Sequence, residues 1–537
     1  MGMYLNSQAP YTLYKNEMRK PYFVDKTRML EKLFPFVETG GDCICITRPR
    51  RFGKTVMANM IASFFSKACD SSTLFNPLLI AQSAGYCEHL NQYPVISISF
   101  HELPRHCRTY EQYIEQEKKR LIGDLKKEFP DVEIDGAETL WDILTELYAR
   151  DSSMRFIFVF DEWDFIFHQD FVSDQDRKEF IMFLSNLLKD KQYVQFAYMT
   201  GILPTAKYSS GSELNMFVEF TMARSPAFSD YFGFTEAEVT NLYERYLTNC
   251  EQPALTQEEL REWYNGYHTA SGEHVYNPRS VVQALRFNHL ESYWTSAGPY
   301  DEIFYYIKNN VDDVRDDLAR MVCGEAVPVK VQEYAASSMN LKTRDEIFSA
   351  MVVYGFLSYE KGMVSIPNKE LMDEFEHMLQ KEASLGYIYL LARESERMLR
   401  ATLAGDTDTM VDILEFAHNT ETPLLAYNSE AELAAVVNLV YLSARDFYFV
   451  EREDKAGVGY VDFIFYPKEE TKSEGIILEL KVNDSPEHAI RQIIDKKYAL
   501  KFHKRAGSNT NEKQKVLAVG ISYDKKTKKH SCKIELL

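Results

Sequence analysis

The stretch ITRPRRFGKT, Ile46 to Thr55, decides the fold. It ends Gly53-Lys54-Thr55, as a loop that holds phosphates on backbone N–H groups ends, but Arg48 stands where that motif has its first glycine. A bare Gly-Lys-Thr is common, so the flanks decide. Upstream, Gly40-Gly41 precedes the apolar run Cys43 to Ile46, which reads as a buried strand; downstream, Val56 to Phe65 carries apolar residues at helical spacing. Strand, loop, helix is the order a phosphate loop requires. The helix N-terminus holds phosphates, Lys54 neutralises charge on the β and γ groups, Thr55 can ligate Mg²⁺, and Gly53 lets the backbone approach closely. Arg51 and Phe52 complete the expected nucleotide-binding set.

A second site supports the loop. Phe156 to Glu162, FIFVFDE, is a continuous apolar strand ending in two acids. Such strands sit inside parallel sheets, with ligands at their C-terminal ends. Asp161 is expected to hold Mg²⁺ and Glu162 to polarise the attacking water. An acidic strand-to-loop turn is the bland alternative. Pro94–Phe100 and Val194–Thr200 read as further strands between helical stretches, which suits a doubly wound parallel sheet. Two readings of Thr200 are open: a γ-phosphate sensor, or a strand-terminal threonine bonded to local backbone.

These segments carry a resemblance. YFVDKTRMLEKL (Tyr22 to Leu33), ITRPRRFGKT, FVFDEWD, MTGILP (Met199 to Pro204) and YFGFTEAEV (Tyr231 to Val239) resemble the predicted AAA-type ATPases that carry a C-terminal nuclease-like domain. In that family the loop reads Arg-Pro-Arg-Arg-Phe-Gly-Lys-Thr, so Arg48 matches the family pattern. Arg48, Arg50 or Arg51 could add positive charge near phosphates or pair with surface acids. The middle, about Thr235 to Leu379, is mostly helical in pattern, with Asn277-Pro278 as a cap and first-turn proline. Its WYNGY, YNPRSV and IPNKE segments (the last Ile366 to Glu370) also resemble the family, and packing is the favoured fate of Trp263, Tyr264 and Tyr267. Arg224 is a candidate γ-phosphate sensor, against a surface salt bridge. The resemblance also allows a homo-oligomer.

The C-terminal third holds a second constellation. Tyr460–Tyr466 and Gly475–Val482 read as strands joined by Pro467–Glu474. A hairpin symmetric about the middle of that loop opposes Asp462 and Glu479. Opposed residues have Cβ atoms about 4.5–5.5 Å apart, so two carboxylates there repel and call for a cation. Mg²⁺ suits them, being hard and oxygen-seeking. Glu479 and Lys481 share a face, and Lys481 could orient a water or stabilise phosphate charge. Asp462 with Glu479-Leu480-Lys481 resembles the PD-(D/E)XK nuclease signature. The order agrees: helix Ser429–Arg445, strand Phe447–Lys455, the hairpin, helix Pro486–Phe502, strand Lys515–Tyr523, an αβββαβ core. Gln492 and Tyr498 resemble the Gln…Tyr pair of RecB-like members. Glu432 is either the first-helix acid or the far half of a capping box opened by Ser429.

Length and composition bound the rest. A chain of 537 residues, 45% apolar, exceeds one core. Three domains are expected: 1–234 ATPase-like, 235–386 a helical lid or winged-helix-like connector, and 387–537 nuclease-like. No run reaches the roughly 18 apolar residues of a membrane span, and the N-terminus lacks signal-peptide order, so no membrane partner and a cytoplasmic location are expected. The eight cysteines form no C-x-x-C pair. Net charge is −19, yet Lys481 to Leu537 holds 14 Lys plus Arg against 6 Asp plus Glu, which suits either solubility or a nucleic-acid partner.

The leading expectation is a nuclease dependent on ATP and Mg²⁺, with DNA preferred over RNA by analogy. The alternatives are an ATP-switched binding or signalling protein whose nuclease fold is inactive, and an ATP-driven remodeller of proteins.

Overall fold

The computed structural model describes residues 2–132, 139–205, 214–294, 311–322, 324–331, 341, 343–381, 387–419, 430–456, 459–468, 474–496, 498 and 515–537. The chain forms two compact units, Met1–Ile303 with Pro328–Leu371, and Phe304–Val327 with Met372–Leu537.

In the first unit, β1 (Asp42–Thr47), β2 (Val95–Ser99), β3 (Phe156–Asp161), β4 (Val194–Gly201) and β5 (Phe217–Phe220) form one sheet in the order β2-β3-β4-β1-β5. All neighbouring pairs are parallel. Every residue of β3 is buried, as a strand covered on both faces demands. The helix Lys54–Phe65 follows β1 directly and buries Met57, Met60, Ile61, Phe64 and Phe65 against Ile44, Ile46, Val159 and Tyr198. Its N-terminus therefore opens at the C-terminal edge of β1, beside the end of β3.

The middle of the chain alternates helices with short ribbons. β6 (Tyr267–His268) pairs with β7 (His274–Val275); β8 (Val327–Pro328), β10 (Met363–Ser365) and β9 (Ser358–Glu360) lie side by side. Asn277 caps the helix Pro278–Phe287 by accepting from Arg279 N and Ser280 N. Tyr264 and Tyr267 are fully buried, so packing accounts for them.

In the second unit, β11 (Tyr448–Ala456), β12 (Gly459–Pro467), β13 (Gly475–Val482), β14 (Val516–Asp524) and β15 (Lys529–Leu536) form a mixed sheet in chain order. The β13–β14 pair is parallel and the others antiparallel. A parallel pair needs a crossover, and the helix Pro486–Asp495 lies in it. The helix Glu430–Val440 precedes the sheet, with a separate short helix at Ala444–Phe447. Ser429 and the Glu432 side chain lie outside the described residues, so the capping box does too. The fold is thus a P-loop-like α/β unit and a PD-(D/E)XK-type unit with a mixed sheet.

Candidate functional sites

The phosphate loop is built by two left-handed residues, Arg51 (φ 71°) and Gly53 (φ 86°), which turn the chain sharply into the helix. Glycine takes that conformation without strain. Lys54 is buried and its Nζ donates to Arg48 O (3.0 Å) and Pro49 O (2.8 Å). Burial pulls its ammonium down to about 8, against the raising pull of Asp164, Asp161 and Glu162. Asp161, at the end of β3, is pushed up to about 6 by burial, while a hydrogen bond from Thr55 draws it back. Thr55 and Asp161 thus meet as a pair of oxygen ligands at the helix start, a donor set that fits Mg²⁺. Glu162 follows in a left-handed conformation (φ 50°), its Oε2 3.8 Å from His101 Nδ1.

A cavity of about 560 Å³ opens over this loop. Arg50, Arg51, Gly53, Lys54, Thr55, Glu162 and Arg279 are among the residues that line it. Arg51 is held below its ordinary range by burial and by the like charges of Arg279 and Arg50. Arg279 Nε is buried with no hydrogen-bond partner among the described residues. Crowded guanidinium groups with an unmet donor are what a polyphosphate would satisfy. Arg279 was not singled out in the sequence; its signal was an arginine just inside the capped helix start.

Three expected residues point elsewhere. Arg48 is buried, donates to Thr47 O and Phe220 O (both 2.8 Å), and lies 4.9 Å over the Phe232 ring. It ties the end of β1 to the end of β5 beneath the loop, which is why a glycine's place holds an arginine. Thr200 is fully buried and donates to Ile46 O (2.8 Å), so its hydroxyl serves the β1–β4 backbone. Arg224 donates to Val331 O (2.8 Å) and does not line the cavity. Phe52 lines it, but its ring is buried edge-on to Tyr267 at 5.0 Å.

In the second unit, β12 and β13 pair as Phe465↔Ile476, Ile464↔Ile477 and Phe463↔Leu478. Continuing that register one step sets Asp462 against Glu479, and Asp462 Oδ2 accepts from Leu480 N (2.7 Å). Glu479 is buried; its Oε1 accepts from Lys481 Nζ (3.2 Å) and from Gln492 Nε2. Its Oε2 is buried with no hydrogen-bond partner among the described residues. Burial first, and the Asp462 charge second, push Glu479 up to about 7 against the pull of Lys481. An orphaned carboxylate oxygen beside a second carboxylate fits a hard cation. Among the described residues no group of three or more His, Cys, Asp or Glu is placed to hold a metal, so any cation there would rest on these two acids plus water or substrate oxygens.

Gly520 makes this arrangement fit. It is the register partner of Glu479 on β14, and a Cβ there would come 2.4 Å from Pro486 O. The crossover helix can therefore lie close enough for Gln492 to reach Glu479. Tyr498 is fully buried in the core with Ile464, Ile477, Ile490 and Ile493. On the helix Glu430–Val440, Glu430 Oε1 stands 3.7 Å from Lys481 Nζ, an acid not singled out in the sequence.

The two folds are those of a P-loop-like, ATPase-like unit and a nuclease-fold unit. Residues 14–210 match the family model described as "Predicted AAA-ATPase", and residues 429–532 that of the "PD-(D/E)XK nuclease superfamily", so the chain carries a domain of each. A curated relative, "Uncharacterized protein in vnfD 5'region" of Azotobacter chroococcum mcd 1, is 26% identical over 282 residues, 52% of this chain. The match spans about half (51%) of that relative's length. Among solved structures, the Walker-type ATPase PABY2304 of Pyrococcus abyssi aligns at TM-score 0.38 and 12% identity, covering 66% of this chain and 96% of that one. The Aeropyrum pernix ORC2 protein, in its ADPNP-ADP complexes, aligns at 0.31 and 11%, covering 65% and 92%. At those scores neither likeness bears on the sites. No described helix is long and apolar enough to cross a membrane.

Proposed function

We propose that the protein is a nuclease of the cytosol, dependent on Mg²⁺, whose phosphodiester cleavage is regulated by ATP bound and hydrolysed in the other unit, with DNA as the preferred substrate. The observation that carries the nuclease reading is the Asp462–Glu479 opposition, with an orphaned Glu479 oxygen and Lys481 at 3.2 Å. Asp462 and Glu479 would hold the cation; charge neutralisation at the phosphodiester is the chemistry it supplies. Lys481, kept beside the acids by Glu479 and Glu430, steadies negative charge on the phosphate. Gln492 fixes the Glu479 rotamer through Oε1, leaving Oε2 for the ligand. At the other site, Lys54, Arg51 and Arg279 bind phosphates, Thr55 and Asp161 hold Mg²⁺, and Glu162 orients the attacking water.

For the coupling we look to the helix Lys369–Lys381, because the chain passes from the first unit to the second within it, between Leu371 and Met372.

The test of the nuclease reading is cleavage of labelled single- and double-stranded DNA and RNA with Mg²⁺. Glu479→Gln should abolish cleavage and metal binding together. Lys481→Ala should abolish cleavage but keep metal affinity, since an ammonium is no ligand for Mg²⁺. Wild type that binds DNA but cuts no substrate at any Mg²⁺ or Mn²⁺ concentration would leave a binding protein with an inactive nuclease fold.

A further inference from the structure

The segments WYNGY, YNPRSV and IPNKE meet in the first unit around one buried carboxylate. Glu370 is fully buried, and its Oε1 accepts from Ser280 Oγ (2.9 Å), Tyr293 N (2.7 Å) and Trp294 N (2.8 Å). Ser280 is the residue after Arg279, on the helix start that Asn277 caps. Just before Glu370, Asn368 caps the next helix by accepting from Leu371 N (3.2 Å), while the Tyr267 hydroxyl donates to Gly355 O (3.1 Å). Tyr267 is also the ring against which Phe52 of the phosphate loop packs. Arg279, which lines the cavity, is thus tied to Glu370 through its neighbour Ser280.

We propose that Glu370 is a positioning residue for nucleotide binding: by holding Ser280 it fixes the helix start that aims Arg279 into the cavity. It touches no phosphate itself. An acceptor taking three donors at one oxygen sets the place of that helix start more firmly than packing alone. The inference rests on the cavity being a nucleotide site.

The experiment is a mutant cycle read as ATP affinity by calorimetry, with folding checked by thermal unfolding. Glu370→Ala should weaken ATP binding by about tenfold, and Arg279→Ala by at least as much. In the Arg279→Ala background, Glu370→Ala should cause no further loss, because its effect passes through Arg279. Glu370→Gln, which keeps the accepting oxygen, should bind within about threefold of wild type. If Glu370→Ala does not fold, Ser280→Ala takes its place, with a loss of about threefold that likewise vanishes in the Arg279→Ala background. Additive losses, wild-type affinity in Glu370→Ala, or wild-type affinity in Arg279→Ala would each overturn the proposal. Lys54→Ala separates the two levels: if it too binds ATP like wild type, the nucleotide site itself is wrong, whereas a large Lys54 loss with additive Glu370 and Arg279 losses overturns only the positioning role.

Discussion

Arg48 and Glu479 show how much depends on single buried charges. Arg48 gives two charge-assisted hydrogen bonds to backbone carbonyls from a nearly sealed position. Arg48→Gly, which restores the usual motif glycine, is therefore expected to lower unfolding free energy by about 3 kcal/mol. ATP affinity of the folded protein should stay within about threefold. Denaturant unfolding paired with calorimetry in the cold checks this; lost affinity at unchanged stability would make Arg48 a phosphate ligand instead. Glu479 carries the opposite kind of cost. Its carboxyl is raised to about 7 in the folded protein, from about 4.3 in an unfolded chain. The folded state therefore binds the proton more tightly, and in metal-free protein this group's contribution to stability is full below about pH 4 and lost as pH rises through 7. The difference in unfolding midpoint between wild type and Glu479→Gln should accordingly change between pH 4 and 8, with wild type losing more as pH rises. A constant difference would contradict the raised value.

At the scale of elements, the crossover helix and the strand beneath it set the candidate nuclease site. Gly520→Ala would set a Cβ against Pro486 O and Ala489 Cβ, so we expect a stability loss of about 1–3 kcal/mol, together with weaker Mg²⁺ binding as Gln492 is pushed from Glu479. Metal titration of the folded variant checks this; full affinity would show that the helix does not set the carboxylate. Elements of this kind were legible where pattern alone fixes them. The apolar runs at Cys43, Val95, Phe156 and Val194 became β1 to β4, and the symmetric hairpin gave the observed β12–β13 register, because a one-residue slip would turn Ile464 and Ile477 out of the core. What depends on distant packing was not legible. β5 is four residues, only one of them buried, and β15 is mostly polar or half-buried, so neither shows an apolar run. The turning of Thr200 onto Ile46, the packing of Arg48 over Phe232 and the approach of Arg279 each depend on segments far away in sequence. On the first helix, the nearness of Glu430 to Lys481 depends on the neighbouring strand, which periodicity within the helix does not show. The crossover helix ends at Asp495, short of the expected Phe502; residues 499–514 lie outside the described residues.

For the whole molecule the question is whether the two sites answer to each other. On the proposed reading, the basic excess beyond Lys481, against an overall charge of −19, would attract a polyanion to the nuclease-fold end, so DNA binding should weaken steeply as salt rises from about 50 to 200 mM. Binding that ignores salt would remove that role. Control by nucleotide asks more, because one site biases another only through an element with two states. The most direct measurement is the rate of Mg²⁺-dependent DNA cleavage by wild type, Lys54→Ala and Glu479→Gln, each without nucleotide, with ADP and with ATP. The account predicts that wild type cuts at a rate that changes with the nucleotide, that Lys54→Ala cuts at one nucleotide-independent rate, and that Glu479→Gln does not cut. Cleavage by wild type at a single rate under all three conditions would contradict it.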